Sequence, residues 1–411
     1  MRLCLFTDTL NDINGVSRFI RNVGHQAALA GLEMHLVTST RFEPPASFSK
    51  SEPYIHNPRP RYARAMPGYP QLEIVVPPRR ALLSLAKRLR PDVIHVSTPG
   101  PVGMVGRAAA KALGVPMLGT YHTDFPAYID HLFGDATFTL MTSGAMRRFY
   151  RPFARLFTRS ADYGEALVRM GFPREHIIRL RPGIDTDAFS TRFAAGEEGA
   201  RRAFWSAYPG AAPRGDGGRV IVRAIFVGRV SVEKNLPLVT RIWPRVREIA
   251  LARGFDARLL VVGDGPYRAT MEHALASHGG VFLGFKHGEE LSRLYANSDL
   301  FLFPSTTDTL GQVVMEAQCT GLPVVVTDQG GPSEVVDDGA TGLVLPVGGH
   351  ASEQRWVREV ADLIADPARR RAMGASAAKK IEPMSIRASF EHFWAEHERV
   401  VLGLNPAEAR A

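Results

Sequence analysis

Five loops of this 411-residue chain carry side chains suited to chemistry, and each directly follows a short apolar run. In Gly228-Arg229-Val230-Ser231-Val232-Glu233-Lys234-Asn235, two cations follow the run Arg223–Val227. Arg229 can grip a diphosphate with two parallel N–H groups, and Lys234 can add a point charge. Together they would stabilise negative charge on a departing phosphate, although a solvated surface pair has the same spacing. The stretch Ser305–Ala317 holds Asp308 and Glu316. With a helix starting near Leu310, Asp308 falls at or near the N-cap, and a rotation of about 100° per residue leaves only about 80° between the two carboxylates. The N–H groups of Thr309, Leu310, Gly311 and Gln312 then point outward from the helix start. Such a carboxylate pair can hold two sets of sugar hydroxyls. Helix capping alone is the simpler account of Asp308.

Three further loops are weaker signals. Gly119-Thr120-Tyr121-His122-Thr123-Asp124 places an imidazole just beyond a strand, where it could donate to a hydroxyl or phosphate, or take a proton near neutral pH. A lone histidine is more often structural. Gly15, at a strand-to-helix turn, could bring a helix N-terminus close to an anion, or form a tight turn and nothing more. Gly330-Gly331 permits close backbone approach to a ligand, or is likewise a turn.

The elements that must position these residues alternate between β-rich runs and helical patterns. Strands are predicted at Arg2–Thr7, Met34–Thr38, Val93–Val96, Pro116–Thr120 and Arg155–Thr158, and again at Arg223–Val227, Arg258–Val262, Val281–Leu283, Leu300–Phe303 and Pro323–Thr327. Fully apolar strands alternating with helices such as Val16–Ala30, Val102–Leu113 and Leu236–Ala252 read as parallel sheets covered on both faces. The fold class is therefore α/β, with two doubly wound domains facing each other across a cleft and ligands beyond the carboxyl ends of the strands. The stretch Arg181–Arg219 is polar and rich in Gly and Pro, and is read as a linker or hinge. An amphipathic tail, Ser385–Val401, carries Phe390, Phe393 and Trp394 and is long enough to cross back to the first domain.

Lys plus Arg exceed Asp plus Glu by 50 to 41, a net charge of +9. Residues 1–190 hold 24 of the cations and 15 of the anions, leaving 26 of each in residues 191–411, so the first half carries the whole excess. An anionic partner is expected there: a phosphorylated ligand, a membrane surface or nucleic acid. Cys4 and Cys319 alone exclude a disulfide scaffold and a cysteine zinc site, and fit a reducing cytoplasm. No apolar run reaches membrane-spanning length, and the N-terminus reads as a first strand rather than a signal peptide. Asp185-Thr186-Asp187 reads D-x-D, a triplet that chance supplies about once in a chain of this composition, and it carries little weight. No nucleic-acid module signature is visible.

The ordered set of a Gly15 loop, YHTD, GRVSVEKN, LVVGDGP, DTLGQVVMEA, and TDQGGPSE with DGATGLV resembles the retaining GT-B glycosyltransferases of family 4, also called group 1. Its flavour is closest to the bacterial GDP-mannose-dependent α-mannosyltransferases. The resemblance implies an acceptor-binding Rossmann-like domain over residues 1–182, completed by a crossing helix at 384–411, and a donor-binding Rossmann-like domain over 183–383. It places Arg229 and Lys234 on the donor diphosphate, Glu316 on the ribose and Asp308 near the donor sugar. Thr309, Leu310, Gly311 and Gln312 would contact sugar hydroxyls, and Gly15 would lie beneath the diphosphate. His122 would stand at the reaction centre beside Tyr121 and Asp124 on the acceptor side. Gly263 and Lys286 would border the base. Asp308 stands where the family has Glu, which shortens its reach by one methylene and leaves the donor sugar open.

The implied reaction moves a sugar, most simply α-mannosyl from GDP-mannose, to a hydroxyl acceptor on a lipid or glycolipid, with no metal or other cofactor. UDP-sugar transfer, a GT-B epimerase and a non-catalytic nucleotide-sugar sensor are the alternatives. The basic segment Met146–Arg155 interleaves Arg with aromatics and suggests either an anionic membrane surface or a solvated helix face. The expected protein is cytoplasmic, peripheral on the inner membrane face, monomeric or weakly dimeric, and has no nucleic-acid partner.

Overall fold

Short, fully apolar runs such as LCLF and LFLF become buried parallel strands, because a strand covered on both faces has no solvent side to keep polar. The computed structural model describes residues 1–10, 15–41, 54–66, 69–122, 136–212, 219–308 and 310–404. In the first half the strands are β1 (Leu3–Phe6), β2 (Met34–Val37), β3 (Ile55–His56), β4 (Tyr62–Met66), β5 (Tyr69–Val76), β6 (Val93–Val96), β7 (Met117–Tyr121), β8 (Arg155–Thr158) and β9 (Ile177–Arg179). Seven of them form a parallel sheet in the order β3-β2-β1-β6-β7-β8-β9, while β4 and β5 pair antiparallel by themselves. In the second half, β10 (Val220–Val227), β11 (Phe255–Val262), β12 (Gly280–Gly284), β13 (Leu300–Phe303), β14 (Val324–Thr327) and β15 (Gly342–Leu345) form a parallel sheet in the order β12-β11-β10-β13-β14-β15.

Each of the ten predicted strands falls on an observed one. The strands β3, β9 and β15 escaped prediction; all three are sheet edges paired on one side, and β3 and β9 also lack a continuous buried apolar run. The chain divides into two compact units, Met1–Gly183 with Ile386–Ala411, and Ile184–Ser385.

The stretch Arg181–Arg219 is not a surface linker over most of its length. Ile184, Phe189, Trp205 and Ala211 belong to the second unit's core, and Trp205 Nε1 donates to the Asn297 carbonyl at 3.1 Å. The helix Glu198–Ser206 carries that tryptophan inward, a burial that composition alone obscured. Within the same stretch, Asp185 Oδ1 accepts from the Asp187 and Ala188 N–H groups at 3.2 and 2.8 Å, so this D-x-D carboxylate caps a local turn.

The basic segment Met146–Arg155 is corrected in the same way. Phe149, Tyr150 and Phe153 are buried in the first unit's core, while Arg147, Arg148 and Arg151 face outward. Helical periodicity separates the aromatics from the arginines, so the two do not share one membrane-facing surface.

The helix Ile386–Val401 docks through Phe390, Phe393 and Trp394 against Leu3, Leu5, Ile20 and Phe157, within the first unit. A chain of buried hydrogen bonds fixes it to the sheet. His397 Nδ1 lies 2.7 Å from the Phe393 carbonyl, which can only accept, so Nδ1 carries the proton. His397 Nε2 must then accept from His95 Nδ1 at 3.0 Å, and His95 Nε2 from the Thr120 hydroxyl at 2.9 Å. One carbonyl thus sets the tautomer of both imidazoles, and both must be neutral. Burial drives His95 well below the usual histidine value and lowers His397 to about 4.

The unfolded chain therefore binds more protons than the folded one between pH 6.5 and about 4. The contribution of this pair to stability is complete above pH 6.5 and falls as the pH drops through that window. Replacing both residues, H95F with H397F, should flatten the fall in Tm across the window. An unchanged pH profile in the double variant would show that these imidazoles do not set the acid limit.

Candidate functional site

In an open parallel sheet the crevice lies where the strand order reverses. Here the reversals fall between β10 and β13 in the second unit and between β1 and β6 in the first.

At the β10/β13 reversal, the loop after β10 brings Lys234 to the loop after β13. Lys234 Nζ meets both carboxylate oxygens of Asp308, at 2.8 and 2.7 Å, with each side chain only about a quarter exposed or less (20% and 25%). Thr307 Oγ1 ties the same loops by donating to the Glu233 carbonyl at 3.2 Å. Arg229 stands on the same β10 loop, 68% exposed, its nearest carboxylate Glu233 at 4.0 Å.

Two expectations about Asp308 and Glu316 change. The helix is Gln312–Cys319 and starts after Gly311, which has φ +66, so Asp308 lies ahead of it and caps nothing. The 80° relation between the two carboxylates therefore does not apply, because only Glu316 is helical. A Cβ on Gly311 would stand 2.9 Å from Pro332 Cγ, and this close approach sets the later start. Glu316 is buried at 4% exposure, with the Tyr295 hydroxyl donating to its Oε2 at 3.3 Å. The Gly311 and Gln312 N–H groups have no acceptor among the described residues. Leu310 is half-buried against the core, and Thr309 lies outside the described residues.

The glycine pairs act on neighbouring backbone. Gly330 has φ +76, a Cβ there would meet the Asp308 carbonyl at 2.9 Å, and the Gly331 N–H donates to that carbonyl at 2.8 Å. Gly263 has φ +125, and its Cβ would fall 2.0 Å from the Gly228 carbonyl oxygen. Its N–H donates to Gly284 O at 2.8 Å. The loops after β10, β11 and β14 therefore pack backbone on backbone around the ion pair. Lys286, beyond β12, pairs with Glu290 at 2.6 Å and lies 5.9 Å from the Tyr208 ring.

In the first unit, Gly15 opens the helix Gly15–Leu29 and accepts from Arg159 Nη2 at 3.2 Å. His122 directly follows β7; its Nε2 lies 3.0 Å from Ser97 Oγ, and its Nδ1 is buried with no partner among the described residues. Burial, and then the Arg159 charge, hold its pKa well below the usual value, so the ring is neutral. Tyr121 is corrected from acceptor-side to core. It is fully buried, edge-on to Tyr150 and Tyr163, because strand alternation turns it to the opposite side of the sheet from His122. Asp124 lies outside the described residues.

Asp8, one residue beyond the predicted strand Arg2–Thr7, was missed. Its carboxylate accepts from the Val102 N–H at 2.8 Å, the Gly103 N–H at 3.2 Å and Thr98 Oγ1 at 2.7 Å, so it holds the start of the helix Pro101–Leu113 across the β1/β6 reversal. Burial nonetheless raises its pKa. Arg159, one residue beyond the predicted strand, was missed as well.

Comparison with known proteins bears on these loops. Residues 13–188 match the family Glycosyltransferase Family 4, and residues 222–380 match Glycosyl transferases group 1. A GDP-mannose-dependent α-mannosyltransferase of Mycobacterium tuberculosis is 35% identical over 74% of this chain and 72% of its own. The chain belongs to glycosyltransferase family 4. It is therefore a retaining glycosyltransferase that draws on a nucleotide sugar. A sulfoquinovosyl transferase of Arabidopsis thaliana is 31% identical over 77% of this chain, and the match spans 58% of the plant protein. Among solved structures, Anabaena HepE in complex with UDP superposes with a TM-score of 0.70 at 16% identity, covering 96% of this chain and 99% of that one. Sucrose-phosphate synthase from Thermosynechococcus elongatus gives 0.68 at 16% identity, over 98% and 100%. The fold of this family 4 enzyme is thus GT-B. Among its described residues, no helix is long and apolar enough to cross a membrane and no acidic or histidine cluster could hold a metal ion.

Two substitutions test how the loops of this glycosyltransferase are built. G263A should destabilise the second unit by about 3 kcal/mol, read as a lowered Tm, because a Cβ cannot coexist with the Gly228 carbonyl at a positive φ. A double-mutant cycle with K234M and D308N should return a coupling of about 1–2 kcal/mol in chemical denaturation. Additive single effects would mean that the pair does not hold the two loops together.

Proposed function

We propose that this glycosyltransferase moves an α-mannosyl group from GDP-mannose to a hydroxyl of a lipid or glycolipid acceptor, without a metal. The observation that carries this reading is the Lys234–Asp308 pair at the β10/β13 reversal, with Arg229 free to turn from its exposed position. The M. tuberculosis relative is named for GDP-mannose, and a second such relative from Mycolicibacterium smegmatis is 30% identical over 85% of both chains.

In this reading the anomeric carbon–oxygen bond to the diphosphate breaks, and a bond to the acceptor oxygen forms on the same face of the sugar. The acceptor proton passes to the departing phosphate oxygen, so no protein nucleophile is required. Lys234 and Arg229 stabilise the charge left on the nucleoside diphosphate. Lys234 enters already oriented by Asp308, which shares it between the carboxylate and the phosphate. The carboxylate of Asp308 stays beside the reacting sugar to accept from its hydroxyls, and buried Glu316 holds the ribose. The Gly311 and Gln312 N–H groups, without an acceptor among the described residues, donate to the transferred sugar, with Leu310 and Thr309 alongside. Gly15 lies beneath the diphosphate, Gly263 and Lys286 border the base, and neutral His122 donates to or accepts from a hydroxyl at the reaction centre.

A UDP-sugar donor is the second reading. It is favoured by the sulfoquinovosyl transferase relative and by the GT-B neighbour solved with UDP-glucose.

A thermal-shift screen separates the two donors, since a ligand that binds only the folded state raises Tm. GDP-mannose should raise Tm more than UDP-glucose. R229A and K234A should each lower kcat by roughly 10²–10³. The product's anomeric configuration, read by NMR, should match that of the donor. A chain stabilised by no nucleotide sugar would remove this proposal.

A further inference from the structure

Tyr295 carries a hydroxyl into a place where a plain phenyl ring would pack as well. It is fully buried on the helix Gly288–Asn297, edge-on to Phe189 with ring centres 5.9 Å apart and tilted against Phe301 at 5.7 Å. Both neighbours belong to the second unit's core. A hydroxyl taken out of water into such surroundings costs stability unless it finds a partner. Its acceptor is Oε2 of Glu316 at 3.3 Å, on the helix Gln312–Cys319. Glu316 is placed in the same way, a carboxylate at 4% exposure between the buried Met315 and Ala317. One of the two helices precedes β13 in the chain and the other follows it, so the contact joins the elements on either side of a strand at the β10/β13 reversal.

What the contact does follows from the shape of a carboxylate. Its two oxygens and their lone pairs share one plane, and both oxygens can accept from adjacent hydroxyls only at one setting of that plane. The last torsion of a glutamate is broad and leaves the setting open. Here Oε2 is held by a phenol whose own ring is fixed between two aromatic side chains. The plane is therefore set in advance, and less freedom is lost when a diol is bound. At 3.3 Å the contact is longer than the usual O–H···O range, and hydrogen bonds at such sites commonly tighten on substrate binding.

We propose that Tyr295 is a positioning residue: it sets the Glu316 carboxylate against the two ribose hydroxyls, and the enzyme thereby selects a ribonucleotide over its 2′-deoxy form. The inference rests on the reading above that Glu316 holds the ribose, and not on the base or the transferred sugar. Tyr295 itself touches no ligand and acts through Glu316.

Isothermal titration of the full chain with GDP, 2′-deoxy-GDP, UDP and 2′-deoxy-UDP tests the proposal. Wild type should bind the ribonucleotide of its preferred base about tenfold or more tightly than the 2′-deoxy form, the worth of one hydrogen bond to a charged group. Y295F should cut that ratio about threefold or more, chiefly by weakening the ribonucleotide. In an E316M background, where no carboxylate is left to orient, adding Y295F should leave the ratio unchanged. A merely structural tyrosine would weaken both nucleotides alike, and an unchanged ratio in Y295F overturns the proposal. Wild type that binds the two forms equally also overturns it, because Glu316 then does not hold the ribose. A wild type that prefers UDP, with a ratio still lowered by Y295F, rejects GDP-mannose as donor and leaves the role of Tyr295 standing. Wild type that binds none of the four overturns both. If Y295F does not fold, 3-fluorotyrosine at position 295, a stronger donor of nearly the same shape, decides: the ratio should rise, and a ratio equal to that of wild type overturns the proposal.

Discussion

The second unit is organised around one ion pair. Lys234 and Asp308 come from loops 74 residues apart, and they meet because β10 and β13 are neighbours at the point where strand order reverses. A partly buried lysine and carboxylate each need a counter-charge, so the pair fixes both loops at once. The glycines around it follow from the same constraint. Gly263 admits the Gly228 carbonyl, Gly330 admits that of Asp308, and Gly311 packs its bare Cα on Pro332. A side chain at any of these positions would push one loop away from the pair.

The first unit solves a comparable problem with neutral groups and one buried carboxylate. Asp8 ties β1 to the start of the helix Pro101–Leu113 through three hydrogen bonds. The Phe393 carbonyl orients two imidazoles and through them Thr120, joining the last helix to the middle of the sheet. Both arrangements are satisfied internally. Arg159 is the contrast, a half-buried cation with no carboxylate partner among the described residues.

Much of this was legible in the residues. Parallel strands buried on both faces leave an unbroken apolar run, and every central strand of both sheets was found that way. Loop motifs after those runs singled out Arg229, Lys234, Asp308 and His122 in the loops beyond β10, β13 and β7, and Glu316 on the helix that follows β13. Of the edge strands only β12 was legible; β3, β9 and β15, and the antiparallel pair β4 and β5, were not, because one-sided pairing places weaker demands on composition. Trp205 and the aromatics of Met146–Arg155 were misplaced for a related reason. Local polarity looked like surface, while helical periodicity turned the apolar side inward.

By itself, then, the order of residues determined the α/β class, the two-part organisation and the set of charged groups available for chemistry. These depend on spacing along the chain, which propensity and periodicity express directly. Which of those charges meet was decided only by the tertiary structure. Asp308 reads as a helix cap until Gly311 delays the helix and Lys234 arrives from another strand. Arg159 carries no signal in the sequence, and only the fold sets its guanidinium against Phe19 with no carboxylate partner among the described residues. Pairing and burial are long-range properties, set by strand order and desolvation, and no window of sequence contains them.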